Sequence, residues 1–204
     1  DVERSRGLGD VYKRQGMNQQ HESTRSNLSA EQLAQATALG LAERVGDTLR
    51  RQGLVLGTAE SCTGGLLAGA VTAVAGSSEW FDRGFITYSN EAKVAELDVS
   101  PDALHHFGAV SEPVALEMAN GVLLAAPAAQ VAVSTTGIAG PGGATPGKPV
   151  GMVCFGFAMR VGDGISSRAV THVFPGDRAQ VRQAAVEFAL RGVLELLGAP
   201  VNRR

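Results

Sequence analysis

The chain has 204 residues, 44% of them hydrophobic and 19% charged, with a formal net charge of −2. That length suffices for one well-buried domain and is short for two, and a charge so near zero supplies no electrostatic reason to expect nucleic acid or a membrane surface as partner. No apolar run reaches the roughly 20 residues a membrane-spanning helix needs, and two cysteines, Cys62 and Cys154, make no disulfide framework, so the expected setting is reducing and cytoplasmic.

"DVERSRGLGDVYKRQG" begins without methionine and has neither helix nor strand periodicity. Residues 1–16 therefore read as foreign to the natural protein. Residues 17–28 read as a polar, disordered lead-in with no apolar segment of the kind a secretory signal needs. One domain is expected over 29–198, followed by a short tail, 199–204. It opens with a helix that Ser29 and Gln32 begin as a capping box, that Leu33, Ala36, Leu41, Val45 and Leu49 stripe, and that Gly53 stops.

"LVLGT" (54–58) reads as a buried strand and "GLLAGAVTAV" as a helix of small residues. "FITYS" (85–89) reads as a strand rich in β-branched and aromatic side chains. Asn90 can cap the helix "EAKVAEL", Ser100 with Pro101 opens a second, and Ser111 with Pro113 a third. "QVAVSTT" (130–136) is the next strand. "MVCFGFAMR" and "ISSRAVTHVF" flank "VGDG" as a hairpin, and Asp177 caps the final helix. Strands alternate with helices until the hairpin enters. The expected fold is α/β: a three-layer α/β/α sandwich with a mixed, largely parallel sheet and a late β-hairpin.

Ligands of open α/β sheets bind beyond the carboxyl ends of the strands, where "TAESCTGG" (58–65) and "STTGIAGPGG" (134–143) both fall. Gly64 and Gly65 at a helix start would let the N–H groups of Thr63, Gly64 and Gly65 face a ligand, as donors to a phosphate or an oxyanion. The alternative is a structural strand-to-helix turn. "GGATPGKP" nearly spells a phosphate-binding P-loop, but Pro149 holds the place of the magnesium-binding hydroxyl and a strand follows where a helix is required. ATP hydrolysis is excluded on that basis, and no dinucleotide fingerprint is present. His105 and His106 are adjacent, so on a helix they point about 100° apart. With His21 and His172 they read as solvated or core residues, and no metal is expected.

Ser61 and Cys62 are rival nucleophiles. A serine lacking an obvious His–Asp partner can be activated by lysine, alone or with tyrosine. The lysines are Lys13, Lys93 and Lys148. Lys13 lies in the suspect tail and Lys148 beside prolines, which leaves Lys93 with Tyr88 in "ITYSNEAK". Burial would help that amine lose its proton. A surface lysine and a packing tyrosine are the alternative. Cys62 has no histidine or evident cation beside it to form a thiolate.

Four stretches, "TAESCTGGLLAGAVTAVAGSSEWFDRGFITYSNEAK", "HFGAVSEPVALEMANG", "STTGIAGPGGATPGKPVG" and "FPGDRAQVRQAAVEFAL", together closely resemble the CinA C-terminal domain family, over about residues 30–198. Its enzymatic members are nicotinamide-nucleotide amidases. The resemblance implies hydrolysis of the carboxamide of nicotinamide mononucleotide to nicotinate mononucleotide and ammonia, without cofactor or metal, in the family's stand-alone form. It carries the nucleophile to Ser61 and the acid-base pair to Lys93 and Tyr88, with either of the two as principal base. On the same reading Arg178 meets the substrate phosphate, or else forms a surface ion pair with Asp177 or Glu187. Thr136, Gly137 and Gly140 pack on the nucleotide. Asn90 bonds the carboxamide or caps its helix, and Trp80 and Phe81 either cover the pyridine ring or pack in the core. The expected partner is the small-molecule substrate, and a homodimer is the expected assembly. A non-catalytic nucleotide-binding module, or an amidase for another carboxamide, is the competing expectation.

Overall fold

The computed structural model describes residues 30–198, with side chains from Thr37 onward. The readings made above for residues 1–29 and 199–204, including the Ser29 cap and the foreign and disordered segments, lie outside the described residues. The chain divides into two units between Ala34 and Gln35. The first lies almost wholly outside the described residues, and the second carries the fold that follows.

Helix α1 (Ala30–Gln52) ends at Gly53, whose φ of +65° reverses the chain at no steric cost. Strand β1 spans Leu56–Glu60, α2 Leu66–Thr72, β2 Phe81–Ile86, α3 Asn90–Leu97, α4 Pro101–Phe107, α5 Glu112–Ala125, β3 Val131–Gly137, β4 Met152–Val161, β5 Gly164–Val173 and α6 Arg178–Leu196. The described strands form one sheet in the order β2-β1-β3-β4-β5. β1 runs parallel to both β2 and β3, while β3–β4 and β4–β5 are antiparallel. The sheet is therefore mixed, and the late hairpin is present as expected.

The layering follows from strand periodicity. Val131 and Val133 of β3 turn to one face with Phe155 and Phe157 of β4, where α1, α2 and α6 pack through Val45, Leu67 and Leu190. Ala132 and Ala158 turn to the other face, against Leu97, Met118 and Val122 of α3 and α5. Small residues on that second face let α5 come close: a Cβ added at Gly156 would lie 2.1 Å from the Ala115 carbonyl oxygen. Trp80 is wholly buried in the first cluster, packed against Gly46, so its role is core packing. Phe81 is partly buried against the same cluster.

Three boundaries differ from the sequence reading. β1 runs over Leu56–Glu60 rather than 54–58, with Ala59 and Glu60 fully buried, so the turn starts at Ser61. Polar side chains masked a central strand. β2 is Phe81–Ile86, four residues earlier than expected, because an edge strand can carry Asp82 and Arg83 outward into water. The cap of α3 is Ser89, whose hydroxyl accepts from the Ala92 N–H, and Asn90 is its first helical residue. Ser100, Ser111 and Asp177 cap their helices as expected, Asp177 in a capping box with Gln180. No helix of the described residues is long and apolar enough to cross a membrane.

Candidate active site

The carboxyl ends of the parallel strands β1 and β3 and the loop after β2 converge on one open cleft. It is lined by Ser61, Cys62, Tyr88, Asn90, Lys93, Thr136, Gly137, Ala139 and Arg178. Ala109 and Val110, from the link between α4 and α5, give it an apolar wall that sequence reasoning did not find. The Thr136 hydroxyl donates to the Ala109 carbonyl at 2.8 Å and so holds that wall to β3.

Ser61 is the first residue beyond β1, and its N–H still donates to the Thr135 carbonyl of β3 at 2.9 Å. Lys93 reaches it from the first turns of α3. The Lys93 Nζ donates to Ser61 Oγ at 3.1 Å and to the Thr87 carbonyl at 2.7 Å, with the Tyr88 and Ser89 carbonyls at 3.4 and 3.5 Å. The residue is 1% exposed, and no ion pair involving it occurs among the described residues. Burial therefore pushes the amine below its ordinary value, with Cys62 and Glu91 opposing the shift weakly. A neutral amine has two N–H donors for these carbonyls and one lone pair left to face Ser61 Oγ.

Cys62 points into the same buried region with the opposite result. Loss of hydration raises its thiol to about 12, and the N–H of its own backbone only partly offsets this. At neutral pH it is a thiol, and thiols attack poorly.

Tyr88 lies in the loop after β2 rather than at a strand end, and it is exposed. Its hydroxyl accepts from the Arg178 guanidinium at 3.2 Å and makes no hydrogen bond to Ser61 or Lys93. Arg178, at the start of α6, also donates to the Gly140 carbonyl at 3.0 Å. It forms no ion pair with Asp177 or Glu187 among the described residues. Its position on the cleft rim leaves the guanidinium open to an anion.

The glycine turn departs most from the sequence reading. Thr63, Gly64 and Gly65 do not line the cleft. The Gly64 N–H donates to the Ser61 carbonyl at 3.1 Å and the Gly65 N–H to Glu60 Oε2 at 2.9 Å. Glu60, fully buried, also accepts from the N–H groups of Leu67 and Ala68 and from the Thr63 hydroxyl. The start of α2 already holds a carboxylate of the chain itself, so the N–H groups of Gly65, Leu67 and Ala68 are not free for a ligand. Gly140 contributes its carbonyl to Arg178 and does not line the cleft. Arg182, one turn beyond Arg178, donates to the Cys62 and Thr63 carbonyls at 3.1 and 3.0 Å. Neither Glu60 nor Arg182 was singled out in the sequence, although the four-residue spacing of Arg178 and Arg182 places both on one helix face. His105 and His106 are exposed on α4, and no cluster able to hold a metal occurs among the described residues.

Residues 38–197 match the model of the CinA C-terminal domain. The chain is 52% identical over 151 residues to the nicotinamide-nucleotide amidohydrolase PncC of Escherichia coli K12, covering 74% of this chain and 89% of that protein. It is 50% identical over 163 residues to a CinA-like protein of Chloroherpeton thalassium, covering 80% of this chain and 39% of that longer protein. Among solved structures, the competence/damage-inducible protein of Agrobacterium tumefaciens superposes with a TM-score of 0.72 at 43% identity, over 79% of this chain and 96% of that one. The competence damage-inducible protein A of Klebsiella pneumoniae superposes with a TM-score of 0.74 at 37% identity, over 79% and 97%. The cleft therefore sits in a fold and a sequence context whose membership is plain: the chain belongs to the CinA C-terminal domain family.

Proposed function

We propose that this chain is a nicotinamide-nucleotide amidohydrolase that converts nicotinamide mononucleotide to nicotinate mononucleotide and ammonia through a serine acyl-enzyme. The observation that carries the reading is the contact between a buried, uncompensated lysine amine and the hydroxyl of Ser61, 3.1 Å apart at the floor of the cleft. The extended similarity to proteins named nicotinamide-nucleotide amidohydrolases supports the choice of substrate.

In the proposed reaction neutral Lys93 accepts the Ser61 proton as Oγ attacks the carboxamide carbon. The tetrahedral intermediate collapses as the proton held on Lys93 passes to the leaving nitrogen, which departs as ammonia and leaves the amine neutral. Water then attacks the ester carbon and gives a proton to Lys93, which returns it to Ser61 Oγ as the acid is released. The Thr87 carbonyl anchors the Lys93 ammonium that forms within each half-reaction. Tyr88 serves the leaving nitrogen from the cleft rim, which requires its phenol to leave Arg178 when substrate enters. Arg178 receives the phosphate, for which its planar fork is suited. Asn90 bonds the carboxamide, and Thr136 and Gly137 support the nucleotide. Ala109, Val110 and Ala139 supply apolar surface for a pyridine ring.

The test is ammonia release from nicotinamide mononucleotide, with EDTA present, by wild type and Ser61→Ala. Activity in the first and none in the second supports the reading. Full activity in Lys93→Met would remove the lysine from it. Nucleotide binding without turnover in wild type would favour a regulatory module instead. Equal turnover of nicotinamide riboside would indicate an amidase for a different carboxamide.

A further inference from the structure

We propose that Glu60 and Arg182 are positioning residues that together grip the nucleophile turn and hold Ser61 Oγ within reach of Lys93. The proposal rests on the reading of Ser61 as nucleophile. Apart from the Lys93 contact, no hydrogen bond to the Ser61 side chain occurs among the described residues. Where its oxygen points is therefore decided by the backbone that carries it, and that backbone leaves the sheet immediately after the Ser61 N–H bond to Thr135.

Two groups catch it there. The Arg182 fork takes two consecutive carbonyls, Cys62 through Nε at 3.1 Å and Thr63 through a terminal nitrogen at 3.0 Å. In a trans peptide the N–H points opposite to the C=O. Holding those carbonyls toward α6 therefore turns the Thr63 and Gly64 N–H groups the other way, and the Gly64 N–H closes the turn on the Ser61 carbonyl. Glu60 Oε2 accepts from the Thr63 hydroxyl at 2.6 Å and the Gly65 N–H at 2.9 Å, while Oε1 accepts from the Ala68 N–H at 2.8 Å. The Thr63 hydroxyl lies 2.8 Å from that of Thr135, which links this carboxylate network to β3.

Glu60 satisfies unpaired N–H groups at the start of α2, and its bond from the Thr63 hydroxyl reaches beyond the helix into the turn that follows Ser61. Arg182 serves no helix end. Both groups converge on residues 62–65, between the serine and the helix, and so give this segment a geometry the glycines alone would leave loose: Gly64 and Gly65 have φ of +57° and +97°.

The test compares Arg182→Met, Arg182→Lys and Glu60→Gln with wild type and Ser61→Ala in the full chain, at a temperature where melting curves show each folded. Two substrates are used: nicotinamide mononucleotide, and p-nitrophenyl nicotinate, which lacks a phosphate. The ester acylates Ser61 as its C–O bond breaks and p-nitrophenolate leaves without needing a proton. Misplacing a nucleophile by about an ångström costs on the order of a hundredfold. We expect Arg182→Met to lower kcat by about 10- to 100-fold on both substrates, with KM within about threefold and partial recovery on adding millimolar guanidinium. Arg182→Lys, which can serve one carbonyl, should fall between. Glu60→Gln, whose amide nitrogen cannot accept, should also lose kcat rather than KM. A raised KM for the nucleotide with unchanged ester turnover would make Arg182 a substrate contact and overturn the proposal, as would unchanged kcat in all three variants. If wild type leaves the nucleotide intact but its Ser61-dependent ester turnover falls in Arg182→Met, the positioning role stands and the amidase reading fails.

Discussion

Lys93→Met should separate stability from activity in a pH-dependent way. The side chain is 1% exposed, and burial lowers its pKa from the ordinary 10.5. The unfolded chain keeps that proton until the pH nears 10.5, whereas the folded chain releases it earlier. Between the two values the unfolded state binds one proton more, so the contribution of Lys93 to stability rises with pH across that window. The maximum slope is about 1.4 kcal/mol per pH unit, equivalent to roughly 3–6 °C in melting temperature for a domain of this size. Below the window both states are protonated, the slope vanishes, and wild type carries the full cost of a buried charge. Methionine removes the titration but leaves the Thr87 carbonyl without its 2.7 Å donor, a loss of about 1–3 kcal/mol that does not vary with pH. Thermal melts of both proteins from pH 6 to 10.5 should give parallel curves at the low end. Wild type should then gain on the variant as pH rises. Other titrating groups are common to both proteins and cancel in the difference. If Lys93 accepts the serine proton, kcat/KM should climb through the same pH at which the curves begin to diverge. Parallel melts across the whole range, or activity that falls as pH rises through that point, would refute the reasoning.

Cys62→Ala should retain turnover within a few-fold. In the native protein the Cys62 thiol, pushed up to about 12 by burial, should alkylate with iodoacetamide on the order of a thousandfold more slowly at pH 8 than an exposed cysteine, as read by peptide mass. Arg178→Met should raise KM for nicotinamide mononucleotide about tenfold or more, the scale of a lost charge-assisted hydrogen bond, and leave nicotinamide riboside turnover unchanged. Equal effects on both substrates would remove the phosphate assignment. Gly156→Ala should cost near the upper end of about 1–3 kcal/mol, since the new methyl meets the Ala115 carbonyl at 2.1 Å and Ser134 Oγ at 2.6 Å. An unchanged melting temperature would show that α5 can shift off β4.

The sequence made the α/β order legible because its caps are local and strong: Ser100 before Pro101, Ser111 before Pro113, Asp177 before Gln180. It misled where a polar side chain sits in a strand for a tertiary reason. Glu60 ends a strand that is paired on both sides, and it is tolerated there because the backbone of α2 satisfies it across the turn. Asp82 and Arg83 belong to an edge, which the sequence cannot announce before strand order is known. Ser61 and Lys93 could be nominated from residue chemistry, since the chain has three lysines and two were poorly placed. Their distance could not, because it depends on β1 and β2 pairing in parallel register. Arg182 was invisible for the same reason: an arginine on an amphipathic helix reads as solvated until its helix is laid against the turn it serves.

One physical cause sorts the nucleophiles in this cleft. Removing water from a side chain penalises its charged form, whichever sign that charge has. Applied to Lys93 the penalty falls on the ammonium, so burial favours the neutral amine that can accept a proton. Applied to Cys62 it falls on the thiolate, so burial removes the form that would attack. Ser61 carries no charge to lose and keeps an amine 3.1 Å from its oxygen. On the proposed mechanism the same dry environment thus equips the serine with a base and disarms the cysteine beside it. Opening the pocket to water should act on both at once: the lysine would hold its proton at higher pH and the thiol would release its proton at lower pH. A cavity-forming substitution that admitted water here would therefore trade a serine site for a reactive thiol.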